Sequence, residues 1–162
     1  MSIIAARIDN RLLHGIVATQ WTSEYRPQRV MIIDEEYAND PTKKAAMRMA
    51  KPAGVALSII ALDTARANFK SGKYDDHSVF LVVRDPGVIA ALLADGQRIP
   101  SLVVGGTVSP DEGVQATQVG RRAYVTGDEE AVYREIHRAG TDITVQYVPS
   151  DAPESLSNYI EL

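Results

Sequence analysis

The chain has 162 residues, 45% hydrophobic and 23% charged, a balance typical of globular proteins and unlike disordered, collagen-like or coiled-coil chains. The length suits one domain spanning residues 1–162, and the formal charge of -4 from 17 basic and 21 acidic residues excludes a global field for holding nucleic acid. The absence of cysteine excludes disulfides, thiolate catalysis and cysteine zinc sites; with no apolar run near the ~18 residues of a membrane span and no basic stretch leading into one, the cytoplasm is the expected location.

Short β-branched runs alternate with helical patterns, the rhythm of a doubly wound α/β domain. Residues 2–8 read as a first strand, buried on both faces, and 14–25 as a helix. Arg29 to Asp34 is a second strand ending in an acid. Asn39 and Asp40 are candidate helix caps before Pro41, whose ring suits a first helical position, and that helix runs through Met47. Residues 55–62 form a third strand, followed by Asp63 as a cap and a helix to Lys70.

A fourth strand covers 78–83, and R-D-P-G after it opens a helix over 86–94. The fifth strand, 99–104, runs into Gly105-Gly106-Thr107-Val108-Ser109-Pro110, which reads either as a turn or as a ligand loop. Residues 123–126 form a short strand, Asp128 caps a helix ending at Ala139-Gly140, and 143–148 is a last strand. The tail from Asp151 reads as a short surface helix. About seven strands then make one mostly parallel sheet with helices on both faces. Loops leaving the same sheet edge would gather residues 7–14, 34–40, 84–87 and 105–109 around one crevice.

The stretch R-I-D-N-R-L-L-H-G over residues 7–15 is the strongest chemical signal. His14 stands at the N-terminal turn of a helix, where backbone N–H groups favour an anion. Arg7 and Arg11 offer planar cationic forks for phosphate oxygens, and Asp9 can orient an imidazole and set its tautomer. The bland alternative is a helix-capping histidine beside a surface Arg7–Asp9 pair. Gly105-Gly106 matches neither G-x-x-x-x-G-K-[ST] nor G-x-G-x-x-G, so nucleotide binding gains nothing from it. Asp34, Asn39 and Asp40 are weighed as metal ligands, but helix capping and turn formation explain Asn39-Asp40-Pro41 more simply and no matched His/carboxylate cluster is present, so no metal is expected. His77 and His137 read as surface residues, and Trp21 as core.

These residues resemble the IIB component of the mannose/sorbose family of bacterial sugar phosphotransferase systems, the family that also includes fructose and N-acetylgalactosamine members. The resemblance rests on R-I-D-N-R-L-L-H-G with Val17 and Trp21, then D-E-E-Y-A-N-D-P at 34–41, K-P-A-G-V at 51–55, L-V-V-R-D-P at 81–86, V-G-G-T at 104–107 and Q-Y-V-P at 146–149. Ile16 departs from a frequent glutamine, and Val103 with Thr107 departs from a frequent Asn-Val-Gly-Gly-Met.

The resemblance implies a cytoplasmic protein-Nπ-phosphohistidine–sugar phosphotransferase without a cofactor, held near the membrane by IIC and IID partners. His14 would accept a phosphoryl group from a IIA phosphohistidine onto Nδ1 and pass it to the sugar. Arg7, Asp9 and Arg11 match the surrounding active loop. Gly15, Gly105, Gly106, Thr107, Asp34 and Asn39 are expected near the phosphate or substrate, on a flat or slightly convex rim that serves two partners in turn. A homo-oligomer stays open. Two other readings compete: a catalytically silent regulatory or phosphate-binding module on the same fold, and a receiver domain. The receiver expects an acidic first loop and a lysine after strand five, and this chain has neither.

Overall fold

The computed structural model describes residues 2–162. In chain order the elements are β1 (Ile3–Asp9), a π-helical turn (Val17–Trp21) running into α1 (Thr22–Tyr25), β2 (Arg29–Ile33), α2 (Glu35–Asn39), α3 (Pro41–Arg48), β3 (Ala56–Ile60), α4 (Leu62–Lys70), β4 (Val79–Val83) and α5 (Pro86–Ala94). Then follow β5 (Ser101–Gly106), β6 (Ala116–Gly120), β7 (Ala123–Thr126), α6 (Gly127–Arg138), β8 (Asp142–Val145), β9 (Glu154–Ser155) and a 3₁₀ turn (Leu156–Asn158). Seven strands form one sheet in the order β3-β2-β4-β1-β5-β8-β9. Its pairings are parallel except for β8 with β9.

The period of two along each central strand sorts side chains into two cores. Ala6, Ile8, Met31, Ile33, Leu81, Val83, Leu102 and Val104 join one, packed on α4, α5 and α6 through Phe69, Ile89, Leu92, Tyr133 and Ile136. Ala5, Val30, Ile32, Phe80, Val82 and Val103 join the other, with Leu12, Val17, Trp21 and Met47. Each fully buried aliphatic or aromatic side chain contributes roughly 1.5–3 kcal/mol, so the α/β sandwich expected from the apolar runs follows from the sorting. The edge strand β3 is buried at Leu57 and Ile59 and only half-buried at Ala56, Ser58 and Ile60, with Leu57 and Ile59 in the Trp21 core and Ile60 packed partly against the other.

Several local expectations need correction. Residues 123–126 pair with β6 in a separate antiparallel hairpin, and the seventh strand of the main sheet is the two-residue β9. The mostly polar A-T-Q-V-G of β6, in which only Val119 is buried, hid this hairpin. Asp63 does not cap α4. Glu35 reaches across from α2 and accepts from Leu62 N at 3.0 Å, leaving Asp63 in the first turn. Asp128 likewise yields to Thr126, which forms a reciprocal capping box with Glu129.

Asp34, unexpected as a cap, accepts from Tyr37 N and starts the short α2, while Asp40 caps α3. The helix after β1 widens into a π turn, where Thr19, Thr22 and Ser23 bond back to carbonyls four residues earlier, a competition that distorts α-helical geometry. The tail is pinned rather than superficial, since Leu156 and Ile160 are buried.

β1 sits at the centre, between β4 and β5. The chain leaves β1 toward the Trp21 core, whereas α5 and α6, which follow β4 and the β5 to β7 segment, pack on the other. Neighbouring strands whose connections diverge open a crevice at their carboxyl ends. Asp9 and Gly106 are partners at that edge, after a register shift between Ile8 and Asp9.

Candidate active site

Arg7 and Asp9, two residues apart, share a face of β1. Arg7 is fully buried, which a guanidinium tolerates only when its donors are engaged. Its Nε donates to Asp9 Oδ2 (3.1 Å), Nη1 to the Gln146 carbonyl (2.9 Å) and Nη2 to the Tyr147 carbonyl (2.9 Å). The guanidinium lies 4.8 Å from the centre of the Trp21 ring, and Trp21 Nε1 donates to the same Tyr147 carbonyl at 3.0 Å. The pair is therefore neither the surface pair of the bland alternative nor the phosphate fork expected of Arg7: it lies in the interior, and Arg7 does not reach toward a ligand. Burial pulls its pKa down against the opposing effect of Asp9.

Gly105 follows from Arg7. A Cβ at position 105 would stand 2.0 Å from the Arg7 Cζ, well inside van der Waals contact, so glycine is required for the guanidinium to pass across β5. Its role is close packing, and it does not line the cavity beside His14.

After β1 the chain makes a tight turn, with Leu12 N donating to the Asp9 carbonyl (3.1 Å) and Arg11 N to Asp9 Oδ1 (3.0 Å). Leu12 is left-handed, φ 56°, a conformation that costs a branched residue about 1–2 kcal/mol. Its complete burial offsets that cost. The turn brings His14 back over Asp9, with Nε2 3.0 Å from Asp9 Oδ2.

Burial acts to raise the Asp9 carboxyl, but the hydrogen bond from His14, the Arg7 charge and the Arg11 N–H outweigh it, and the group sits below its ordinary range. Asp9 is thus ionised at neutral pH and can only accept, so the hydrogen bond assigns the proton to Nε2 and leaves the Nδ1 lone pair free in the neutral ring. The helical run from Gly15 begins beside this imidazole, adding the positive end of a dipole.

His14, Asp9, Asn10 and Arg11 line a cavity of about 260 Å³ closed on its far side by Gly106, Thr107, Ser109, Arg121, Arg122, Tyr124 and Tyr147. The surroundings are concave rather than flat or convex. Gly106 accepts from Asn10 N at 3.0 Å. Thr107 ties β5 to the β6–β7 hairpin: its N–H donates to the Arg122 carbonyl (2.9 Å) and its hydroxyl accepts from Tyr124 N (2.8 Å). Gly15 opens the helical run, and a Cβ there would meet nothing within 4 Å, so packing inside the chain does not demand a glycine.

The structure separates Asp34 and Asn39 from this group. Asp34 holds Arg84 through two 2.7 Å bonds, and Arg84 lines the adjoining cavity of about 380 Å³ with Asp85. Asn39 bonds the Glu35 carbonyl at the surface. Neither lines the His14 cavity, because both are taken up in starting or stabilising α2.

Sequence reasoning missed Arg121, Arg122, Tyr124 and Tyr147, whereas Asn10 and Ser109 fall in the stretches expected at the crevice. The available signal was Arg121-Arg122 set between two short runs, A-T-Q-V-G and A-Y-V-T, a two-residue hairpin spacing.

A family model described as the sorbose subfamily IIB component of the phosphotransferase system matches residues 3–162. The sorbose-specific EIIB component of Lacticaseibacillus casei is 30% identical over 151 residues, covering 93% of this chain and 90% of that protein. The mannose-specific EIIAB component of Escherichia coli K12 is also 30% identical across 93% of this chain, which spans 46% of that longer protein. Among solved structures, the IIBSor domain of the sorbose permease from Klebsiella pneumoniae superposes with a TM-score of 0.88 at 26% identity, covering 98% of this chain and 95% of that one.

Proposed function

The chain belongs to the sorbose subfamily of IIB components of the sugar phosphotransferase system, and from that premise we propose that it is a phosphocarrier working through His14. It takes a phosphoryl group from the phosphohistidine of a IIA protein and gives it to a sugar entering through membrane IIC and IID components. Residues 1–162 act as one IIB domain in the cytoplasm, held at the membrane by those partners; no helix among the described residues is long and apolar enough to cross it.

The observation that carries this reading is the 3.0 Å contact between His14 Nε2 and the ionised Asp9. It leaves Nδ1 as the nucleophile. In the first transfer the Nδ1 lone pair forms a bond to phosphorus while the donor's N–P bond breaks, its electron pair remaining on the donor imidazole. The donor ring, which carries a proton on its other nitrogen, leaves as a neutral imidazole, and His14 becomes a phosphoimidazolium whose positive charge Asp9 stabilises through the Nε2 proton. No free proton is needed. In the second transfer a sugar hydroxyl oxygen attacks phosphorus, the pair returns to Nδ1 and the hydroxyl proton is released.

Arg7 acts by positioning: it fixes Asp9, and through Asp9 the imidazole. Arg11, exposed at the mouth of the cavity, is placed to meet the phosphoryl charge. Gly15 leaves open space beside His14 into which a partner's donor histidine can approach.

The test is reconstitution. The protein is incubated with labelled phosphoenolpyruvate, the general phosphotransferase proteins and a candidate IIA, and acid-labile phosphate is mapped. Label on His14, lost in a folded His14→Ala variant, is the expected result. Label persisting in His14→Ala, or alkali-labile phosphate mapped to an aspartate, would reject the proposal.

A further inference from the structure

With Arg7 locked in the interior, the cation balance at His14 changes. A phosphoryl group on the imidazole carries about -1.5 to -2 at neutral pH by analogy with other phosphorylated side chains. Against it stand Arg11 and about half a positive charge from the helical run. Together these offset about 1.5 of that charge and leave up to about half a unit, and both come from the β1 side of the cavity; the cations that face it from the other side are two arginines at the hairpin turn, Arg121 and Arg122. Arg121 is turned outward, its side chain 75% exposed and paired with Asp151 at 3.1 Å. Arg122 makes no ion pair among the described residues.

Arg122 is also held in place. Its carbonyl accepts from Thr107 N (2.9 Å) and its neighbouring strand residue Tyr124 donates to the Thr107 hydroxyl, fastening the turn to the end of β5. Its guanidinium lies 4.8 Å from the centre of the Tyr147 ring, a stacking geometry that orients a cation without using its N–H donors. The Tyr147 backbone carbonyl in turn anchors Arg7 and Trp21, so the platform under Arg122 belongs to the same rigid framework that sets Asp9. A stacked, unpaired guanidinium on a fixed turn at the rim of a histidine cavity is preorganised for an anion.

We infer that Arg122 contacts the phosphoryl group on His14 and is the second phosphate-binding arginine of this site, in the place that Arg7 would have taken. The inference rests on the phosphocarrier reading above. It assigns to the β6–β7 hairpin a role in catalysis: it brings a charge across the cavity from Arg11, so that the group is held from two sides during transfer.

Rapid-quench phosphorylation from a phosphorylated IIA decides it, comparing the intact wild-type chain with Arg122→Gln, Arg122→Lys and Arg66→Gln, the last removing one distant charge from α4. Thermal midpoints check folding, and only the carbonyl of Arg122 anchors the turn, so its side chain can be changed without breaking that bond. Arg122→Gln should slow transfer about tenfold to a hundredfold, somewhat less than the loss of an enclosed oxyanion donor, with Arg122→Lys recovering part of the rate and Arg66→Gln matching the wild type. Arg122→Gln transferring within about twofold of the wild type, Arg122→Lys as slow as Arg122→Gln, or an equal loss in Arg66→Gln would overturn it. Failure of the wild type itself to label at His14 would remove the phosphocarrier reading and this inference together, whereas wild-type labelling with an unaffected Arg122→Gln removes the inference alone.

Discussion

Gly105→Ala tests the interior framework most directly. The added methyl would lie 2.0 Å from Arg7 Cζ, 2.1 Å from Nη2 and 2.4 Å from Nη1, so the guanidinium must move by more than an ångström to restore contact distance. Any such movement stretches its 2.9 Å bonds to the Gln146 and Tyr147 carbonyls and its 3.1 Å bond to Asp9. Partial loss of a buried, hydrogen-bonded charge costs about 3–5 kcal/mol, a large share of the roughly 5–15 kcal/mol that holds a domain folded.

Urea unfolding of four proteins measures it: wild type, Gly105→Ala, Arg7→Met and the double variant. Arg7→Met removes the guanidinium, so Gly105→Ala should cost far less in that background, with a coupling of about 2–3 kcal/mol expected for residues in direct contact. Phosphoryl transfer should fall in both single variants because Asp9 loses its support. Additive costs, or a Gly105→Ala protein as stable as the wild type, would refute the account of why glycine stands at 105.

Asp9 links the site to pH. Its folded-state pKa is depressed, first against burial, by the His14 hydrogen bond and the Arg7 charge; a depressed carboxylate contributes stability that is present above the unfolded value of about 3.9 and lost as pH falls through the lower folded value. Urea midpoints of the wild type should therefore drop from about pH 4 downward, and Asp9→Asn should remove that part of the acid dependence while slowing transfer by about a hundredfold or more, as expected when a histidine loses the carboxylate that stabilises its charged form. An unchanged acid limb in Asp9→Asn would count against this linkage. At the α2 end, Asn39→Ala should stay within about 0.5 kcal/mol of the wild type with unaltered His14 labelling; loss of labelling would return Asn39 to the site.

The sequence by itself determined the alternation of strands and helices, because runs such as V-M-I-I and V-F-L-V-V are apolar at every position and can only be satisfied between two helical layers. It also determined the loop proposed to carry the chemistry, since Arg7, Asp9, Arg11 and His14 lie within eight consecutive residues and local geometry suffices to bring Asp9 under His14. What those residues do to one another was decided by tertiary structure. Whether Arg7 points at a ligand or into the core depends on carbonyls 139 and 140 residues away, at Gln146 and Tyr147, and the reason for Gly105 becomes visible only when β5 lies beside β1.

The same holds for the partners of the loops. Asp34 and Asn39 ended a strand or began a helix at the right sheet edge, but their side chains were claimed by Arg84, by Tyr37 N and by the Glu35 carbonyl. The hairpin that carries Arg121 and Arg122 has too few apolar residues to announce itself, and its place over the His14 cavity is set by the Thr107 contacts with Arg122 and Tyr124. Short-range chemistry is written along the chain, whereas the direction of a buried or half-buried charge is fixed by whichever distant donor or acceptor the fold brings within about 3 Å of it.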